Sequence, residues 1–548
     1  MRVEGDHKLK RFSIAAKAAL ACMLLGPNAP VCADETQSVE ELRNTVINLL
    51  EGLVQKGVLT REQAQAMVNA AQAKAAAQAK ARTDQEAAEK GAVRVPYVPE
   101  IIQDQIRDEV KEGLREEVTK DVIEQAHQEK WGVPGALPEW ITNLNVHGDL
   151  RLRAEADLYA SGNAQGEYLN FSAINAAGGI EKAGPNALLN TTTDRLRERI
   201  RMRLGLDETV SEGLTVGMQF GFDNQNFAVS TNQTLGSYGQ NDAMAIYQAY
   251  LRYDAKSAGS NLPWMTLAGG RFANPFYTTS LLWYPDLYFD GTYGSWRLGI
   301  GDGSTPRNVY FTVGAFPLQE IELSYKDKWL YAGQLGVDWP WQNGGRTRFA
   351  ATYYYFDNIT GIRNSVNDTF YNFTAPPILQ KGNTLFDISN NPTDPTVNLF
   401  ALAADYHEAN LTAGVDIPAG PYQVSITGDY VNNVGYNRAA ILSRTGLDVP
   451  KRGVGYFGEV AYGSPTTGRA GTWRASLQYR YLQRDAVVDA FDDQDFHLGG
   501  TDARGFVLQG YWWFRDRISV ALRYFSANAI DGPPLGIDVI FIDLNAAF

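Results

Sequence analysis

Cysteine, histidine and long apolar runs are all scarce in this chain. Only Cys22 and Cys32 occur in 548 residues, both inside the first 33. A chain that loses this segment keeps no thiol, so neither disulfides nor thiolate chemistry can support it. The five histidines stand in no Ser/His or metal-ligand spacing, and no glycine-rich phosphate loop is present. An enzyme is therefore not expected, and neither a cofactor nor a metal is called for. A surplus of 62 acidic over 49 basic residues, net charge −13, argues against a nucleic-acid partner. No stretch of about 18 apolar residues follows the N-terminal segment, so no helix is expected to cross a membrane. If the chain enters lipid, it must do so as a closed barrel, because hydrocarbon leaves an open sheet edge without partners.

Aromatics are missing from one part of the chain only. Of 63 Phe, Tyr and Trp, the first 141 residues hold only Phe12, Tyr97, Trp131 and Trp140. Two kinds of material are joined, an Ala/Glu/Gln-rich front and an aromatic- and Gly-rich body.

Residues 1–33 read as a signal peptide, with basic Lys8, Lys10 and Arg11, an apolar Ile14 to Leu25, and Val31-Cys32-Ala33 as the cleavage site. Residues 34–92 read as helical. Ser38 and Glu41 form a capping box, and Val39, Leu42, Val46, Leu49 and Leu53 make a heptad seam suited to a coiled coil. Residues 93–99 carry Pro96 and Pro99, a stiff linker. An amphipathic helix is expected over 100–130, where Ile102, Ile106, Val110, Leu114, Val118 and Val122 recur every four residues. A second linker spans 131–141. The narrow stripe suits self-association, as in a trimer, or a helix that folds back on its neighbour.

From residue 142 to Phe548 the period changes to two. Leu144, Val146, Leu150, Leu152, Ala154 and Ala156 alternate with Asn145, His147, Asp149, Arg151, Arg153 and Glu155. A strand with one apolar and one polar face follows. The pattern recurs down the chain. Short connections near 207–213, 255–263, 302–307, 340–346, 418–420, 464–471 and 515–516 alternate with long ones near 159–194, 225–243, 273–292, 357–396, 433–452 and 485–503. Short inner turns and long outer loops are the rule for all-β transmembrane barrels. About 16 antiparallel strands are expected, within 14–18, provided residues 397–417 form one strand with a bulge near His407-Glu408. The final strand ends on Phe548. This resembles the signal by which barrel assembly machinery recognises its substrates.

Several motifs together resemble the putative porin family of Gram-negative bacterial outer membranes. They are Leu49 to Thr60, Val95-Pro96-Tyr97-Val98-Pro99-Glu100, Trp131 to Trp140, Gly148-Asp149-Leu150-Arg151-Leu152-Arg153, Gly270 to Phe276 and Gly314 to Glu320. The resemblance implies an outer-membrane barrel with a periplasmic helical extension. It names no solute and carries over no functional residues.

Pore-lining candidates follow from parity. Arg195, Arg197, Arg199, Arg201 and Arg203 share one face with Arg151 and Arg153 of the adjacent strand. Arg252, Arg474, Arg480, Arg517 and Arg523 also take polar positions. The row forms either an anion-attracting ladder or one half of cross-strand ion pairs with Asp149, Glu155 and Asp157. Arg271, Asn274, Asp286 and Asp290 flank a loop that either folds inward as a constriction or latches onto a neighbouring subunit. Asp492, Asp493 and Asp495 beside His497 read as a solvated outer loop, with calcium as the sharper alternative. The expected function is passive diffusion of small polar solutes, with anions preferred. The alternative is an outer-membrane anchor whose helical front reaches the cell wall or a periplasmic partner. Outer-membrane lipid surrounds the barrel in either case.

Overall fold

The computed structural model describes seven residues between 66 and 77, and residues 143–222, 229, 231–257, 262–300, 307–322 and 324–548. They fall in two units, 1–118 and 119–548. In the first, Ala66, Asn69, Ala70, Ala73, Lys74, Ala76 and Ala77 are helical, as alanine favours. The signal peptide, heptad seam, both linkers and second helix expected from the sequence lie outside the described residues.

In the second unit the period-two segments pair with their chain neighbours. The first eight wall strands are β1 (Leu144–Tyr159), β2 (Arg195–Ser211), β3 (Leu214–Phe222), β4 (Met244–Lys256), β5 (Pro263–Ala273), β6 (Tyr288–Ile300), β7 (Arg307–Gln319) and β8 (Lys328–Pro340). The next eight are β9 (Arg346–Asp357), β10 (His407–Ala419), β11 (Tyr422–Asn433), β12 (Val454–Gly463), β13 (Trp473–Leu482), β14 (Ala503–Arg515), β15 (Ile518–Ala529) and β16 (Gly536–Ala547). A two-residue segment, Gln233–Thr234, adds to β2. The ends meet antiparallel, from Asp149↔Ala547 to Tyr159↔Ile537, closing a 16-strand barrel with no free edge. Phe548 extends the seam, exchanging backbone hydrogen bonds with Gly148 at 3.0 and 3.1 Å. Its ring occupies the space a side chain on Gly148 would need, since a Cβ there would stand 2.5 Å from Phe548 Cζ.

One expectation is corrected. Residues 397–417 are not a single strand. Phe400–Leu402 pairs with Leu385–Asp387 in a separate hairpin inside a long connection, and the wall strand begins at His407. Its register against β9 runs unbroken from Arg346↔Asp416 to Tyr355↔His407, so no bulge sits there. The parity switch marks a change of element.

The outer face is apolar and banded. Trp339, Tyr462, Trp512 and Phe514 point outward near the short-turn end, and Tyr331, Tyr355, Tyr456 and Phe506 near the long-loop end. Eight residues separate Tyr331 from Trp339 on β8, about 26 Å along a strand at ~3.3 Å per residue and about 20 Å once tilted. That fits a hydrocarbon layer between two aromatic girdles. Among the described residues no helix is long and apolar enough to cross a membrane.

The interior also holds an apolar core. Phe276, Leu281, Leu282 and Trp283 from the β5–β6 connection pack with Phe289, Phe316, Tyr354 and Phe356 of the wall and with Val487 and Val488 of the β13–β14 connection. Each such burial contributes about 2 kcal/mol, so long loops fold into the lumen.

Candidate channel interior

The β5–β6 connection, residues 274–287, lines the interior and is tied to distant strands. Asn274 starts it, its side-chain oxygen accepting from the Phe276 amide at 2.9 Å. Tyr277 then bonds β8 twice, its amide to Gln334 Oε1 and its carbonyl from Gln334 Nε2, both at 2.9 Å. The Thr279 hydroxyl donates to Asp429 on β11 at 2.7 Å. Arg480 on β13 donates to the Ser280 hydroxyl at 2.6 Å. Trp283 rests on Tyr354 of β9, ring centroids 5.3 Å apart. The segment then returns to β2, where Arg201 and Arg203 donate to the two Asp286 oxygens at 2.9 and 2.8 Å. Thr231 adds a hydroxyl at 3.1 Å. Burial alone would raise the Asp286 carboxyl, but Arg201 and Arg203 outweigh it and hold it below the usual carboxylate range.

The four residues expected at a constriction separate here. Asp286 lies on the inward segment. Arg271 and Asp290 belong to β5 and β6, stand directly opposite one another and pair at 2.7 Å with 36% and 51% of their side chains exposed.

The arginine row is matched by carboxylates. Arg197 pairs with Glu155 and, at 3.2 Å, with Asp157. Arg199 reaches Glu155 at 3.2 Å. Arg201 and Arg203 share Asp149 at 2.8 and 2.6 Å. Arg153 pairs with Asp543 at 2.7 Å and lies 3.9 Å over the Phe541 ring. Arg523 takes the other Asp543 oxygen at 2.8 Å. Arg252 pairs with Asp254 at 3.0 Å. The even spacing of arginines on β2 against carboxylates on β1 and β16 follows from the register Arg153↔Arg199 and Arg153↔Asp543. Arg151 differs: its guanidinium donates to Asn545 at 3.1 Å. Arg195 and Arg474 make no ion pair among the described residues.

The acidic stretch expected to be solvated is buried, a second correction. Asp492, Asp493, Asp495 and His497 are all buried. Residues 483–502 turn inward, so these carboxylates meet wall arginines. Asp493 accepts from Arg480 at 3.1 Å and Asp495 lies 3.5 Å from Arg153. Burial pushes Asp489 and Asp492 up to about 8. Burial also lowers Lys381 to about 7, against the pull of Asp502, Asp492 and Asp489. Lys381 Nζ sits 2.7 Å from His497 Nδ1. Among the described residues no group of three or more His, Cys, Asp or Glu is placed to hold a metal ion.

Sequence reasoning missed Gln334, Asp429, Ser280 and Lys381 as contacts. The available signal was the apolar Leu281-Leu282-Trp283-Tyr284 inside a connection, which a solvated loop would not carry.

By fold, the chain is similar to OprB of Pseudomonas putida (TM-score 0.44, 11% identity, 76% of this chain and 97% of that one). It is also similar to the outer membrane channel DcaP of Acinetobacter baumannii (0.38, 13%, 74% and 97%) and to OmpF of Salmonella typhi (0.37, 10%, 74% and 97%). No curated protein matches by sequence. The family model described as "Putative porin" matches residues 43–548, so the chain belongs to that family of outer-membrane channels.

Proposed function

We propose that this outer-membrane channel passes small polar solutes by diffusion through a lumen narrowed by residues 274–287. The observation that carries the reading is the path of that segment, which contacts β8, β9, β11 and β13 before returning to β2. Its anchoring leaves a cavity of about 300 Å³ beside it, lined in part by Trp283 and Leu287. Most arginines are neutralised by neighbours, so charge preference is weak. It favours anions through Arg151, Arg195 and Arg474. Planar-bilayer conductance of the purified protein, with reversal potentials in a salt gradient, tests both parts. No conductance would sink the channel, and a preference for cations would sink the anion reading.

A trimer is the proposed assembly. Gly269, Thr292, Gly294 and Ala315 line an outward depression of the β5–β7 wall, and small residues let neighbouring walls approach closely. Cross-linking in detergent checks the subunit number. The tether reading concerns residues 34–130, which lie almost wholly outside the described residues. Deleting them separates the roles: lost envelope adhesion with intact conductance favours a tether, and dissociated subunits favour an assembly element.

A further inference from the structure

Lys328 opens β8 and points into the interior, with 3% of its surface exposed. Its ammonium donates to one group, the Thr374 carbonyl at 3.2 Å. Among the described residues no carboxylate pairs with it. That sets it apart from the luminal arginines paired above. A buried ammonium without a counter-charge is costly. Close by, Gln319 buries a side-chain oxygen that has no hydrogen-bond partner.

Both side chains line the cavity of about 300 Å³, whose other walls include Trp283, Phe289, Phe316 and Phe491. Arg271 and Asp290 also border it, but they neutralise each other at 2.7 Å. The cavity on the other side of the interior is different. There Arg195, Arg197 and Arg199 meet Glu155, Asp157 and Asp495, so charges of both signs are present. Of these two cavities, the Lys328 one combines apolar aromatic walls with a cation that no carboxylate pairs.

We propose that this cavity is a solute site for small organic anions with an apolar body, of the size and chemistry of an aromatic monocarboxylate. The carboxylate meets Lys328 Nζ, and the Gln319 amide, turned to present its N–H₂, supplies a second donor. Amide orientation is set by the partners available. The ring packs against Trp283 and Phe316. A few precisely placed polar groups in a mostly apolar concavity of at least about 300 Å³ are what such ligands need. The inference rests on the channel reading for its physiological sense, but binding can be measured without conduction.

The test uses the full chain folded in detergent. Benzoate, and benzyl alcohol as its uncharged analogue, are titrated by calorimetry and by the fluorescence of Trp283, with Trp283→Phe as the control for its signal. Benzoate is expected to bind at least about tenfold tighter than benzyl alcohol, because only the anion gains the ammonium. Lys328→Met is expected to erase that difference, and Lys328→Arg to keep part of it. Should Lys328→Met fail to fold, Ala490→Phe fills the cavity without touching the ammonium and is expected to abolish benzoate binding. Equal affinity for the two ligands, or benzoate binding unchanged by Lys328→Met or Ala490→Phe, overturns the site. Benzoate binding in a protein that conducts no ions would leave the site standing and refute the channel.

Discussion

Replacing Asp286 with Asn removes the charge that ties the inward segment back to β2. The carboxylate accepts from Arg201, Arg203 and Thr231 at 2.9, 2.8 and 3.1 Å, with its side chain 11% exposed. Hydrogen bonds to charged groups are worth about 1.5–3 kcal/mol each. The loss is smaller than their sum, because both arginines keep Asp149 at 2.8 and 2.6 Å. What remains is one carboxylate for the buried Arg201 and half-buried Arg203 guanidiniums, and about 2 kcal/mol of seating free energy is lost. That raises the unseated population of residues 274–287 about thirtyfold, while the barrel, held by its wall ladders, stays closed. Single-channel recordings should show larger and noisier conductance, and amide exchange should quicken within 274–287 but not in β8 or β11. Acid should imitate the substitution. The folded Asp286 carboxyl is held low, so its contribution is present above the unfolded value of about 4 and is lost as pH falls through the lower folded value. Unchanged conductance together with unchanged exchange in Asp286→Asn would refute the anchoring argument.

Three further outcomes follow from the same contacts. Arg151→Gln should reduce anion preference, since its guanidinium bonds Asn545, whereas Arg197→Gln, which frees Glu155 and Asp157, should shift reversal potentials toward cations. If neither variant moves the potential, these luminal charges do not set selectivity. Carboxyls of Asp489 and Asp492 raised to about 8 favour the seated 483–502 segment most below about pH 4, and this is lost as pH rises through about 8. Lys381, lowered to about 7, acts oppositely, losing its contribution as pH falls through that value. Protease access to 483–502 should therefore climb as pH rises from about 4 to about 8, and Asp489→Asn should blunt the climb. Gly148→Val places a Cβ 2.4 Å from the Arg203 carbonyl and 2.5 Å from the Phe548 ring. The backbone oxygen cannot yield, so the closing seam should weaken and the folded, heat-modifiable fraction on gels should drop. A folded fraction equal to the unaltered chain's would show that the seam tolerates the change.

The wall was legible because its physics is local. Alternation in β1 places Leu152 toward lipid and Arg153 inward with no knowledge of partners, and short and long connections set the hairpin order. The interior was less legible because it is built from non-local contacts. Arg201 and Asp286 stand 85 residues apart, and Arg480 and Ser280 200 apart. Parity alone could not choose between an anion ladder and wall bracing, since both need the same alternation. The acidic stretch at 492–495 read as solvated because its arginine partners lie on other strands. Phe400 and Leu402 mimicked a strand continuing into His407 because a buried loop hairpin has the same alternating apolar pattern as a wall strand.

The central claim is a conducting barrel narrowed by one inward segment. Its most direct measurement is planar-bilayer conductance of the full chain beside a variant in which residues 278–285 are replaced by a short Gly/Ser linker. Small, stable conductance that rises severalfold in the variant is the predicted result. Zero conductance in both, with the barrel folded, would contradict it.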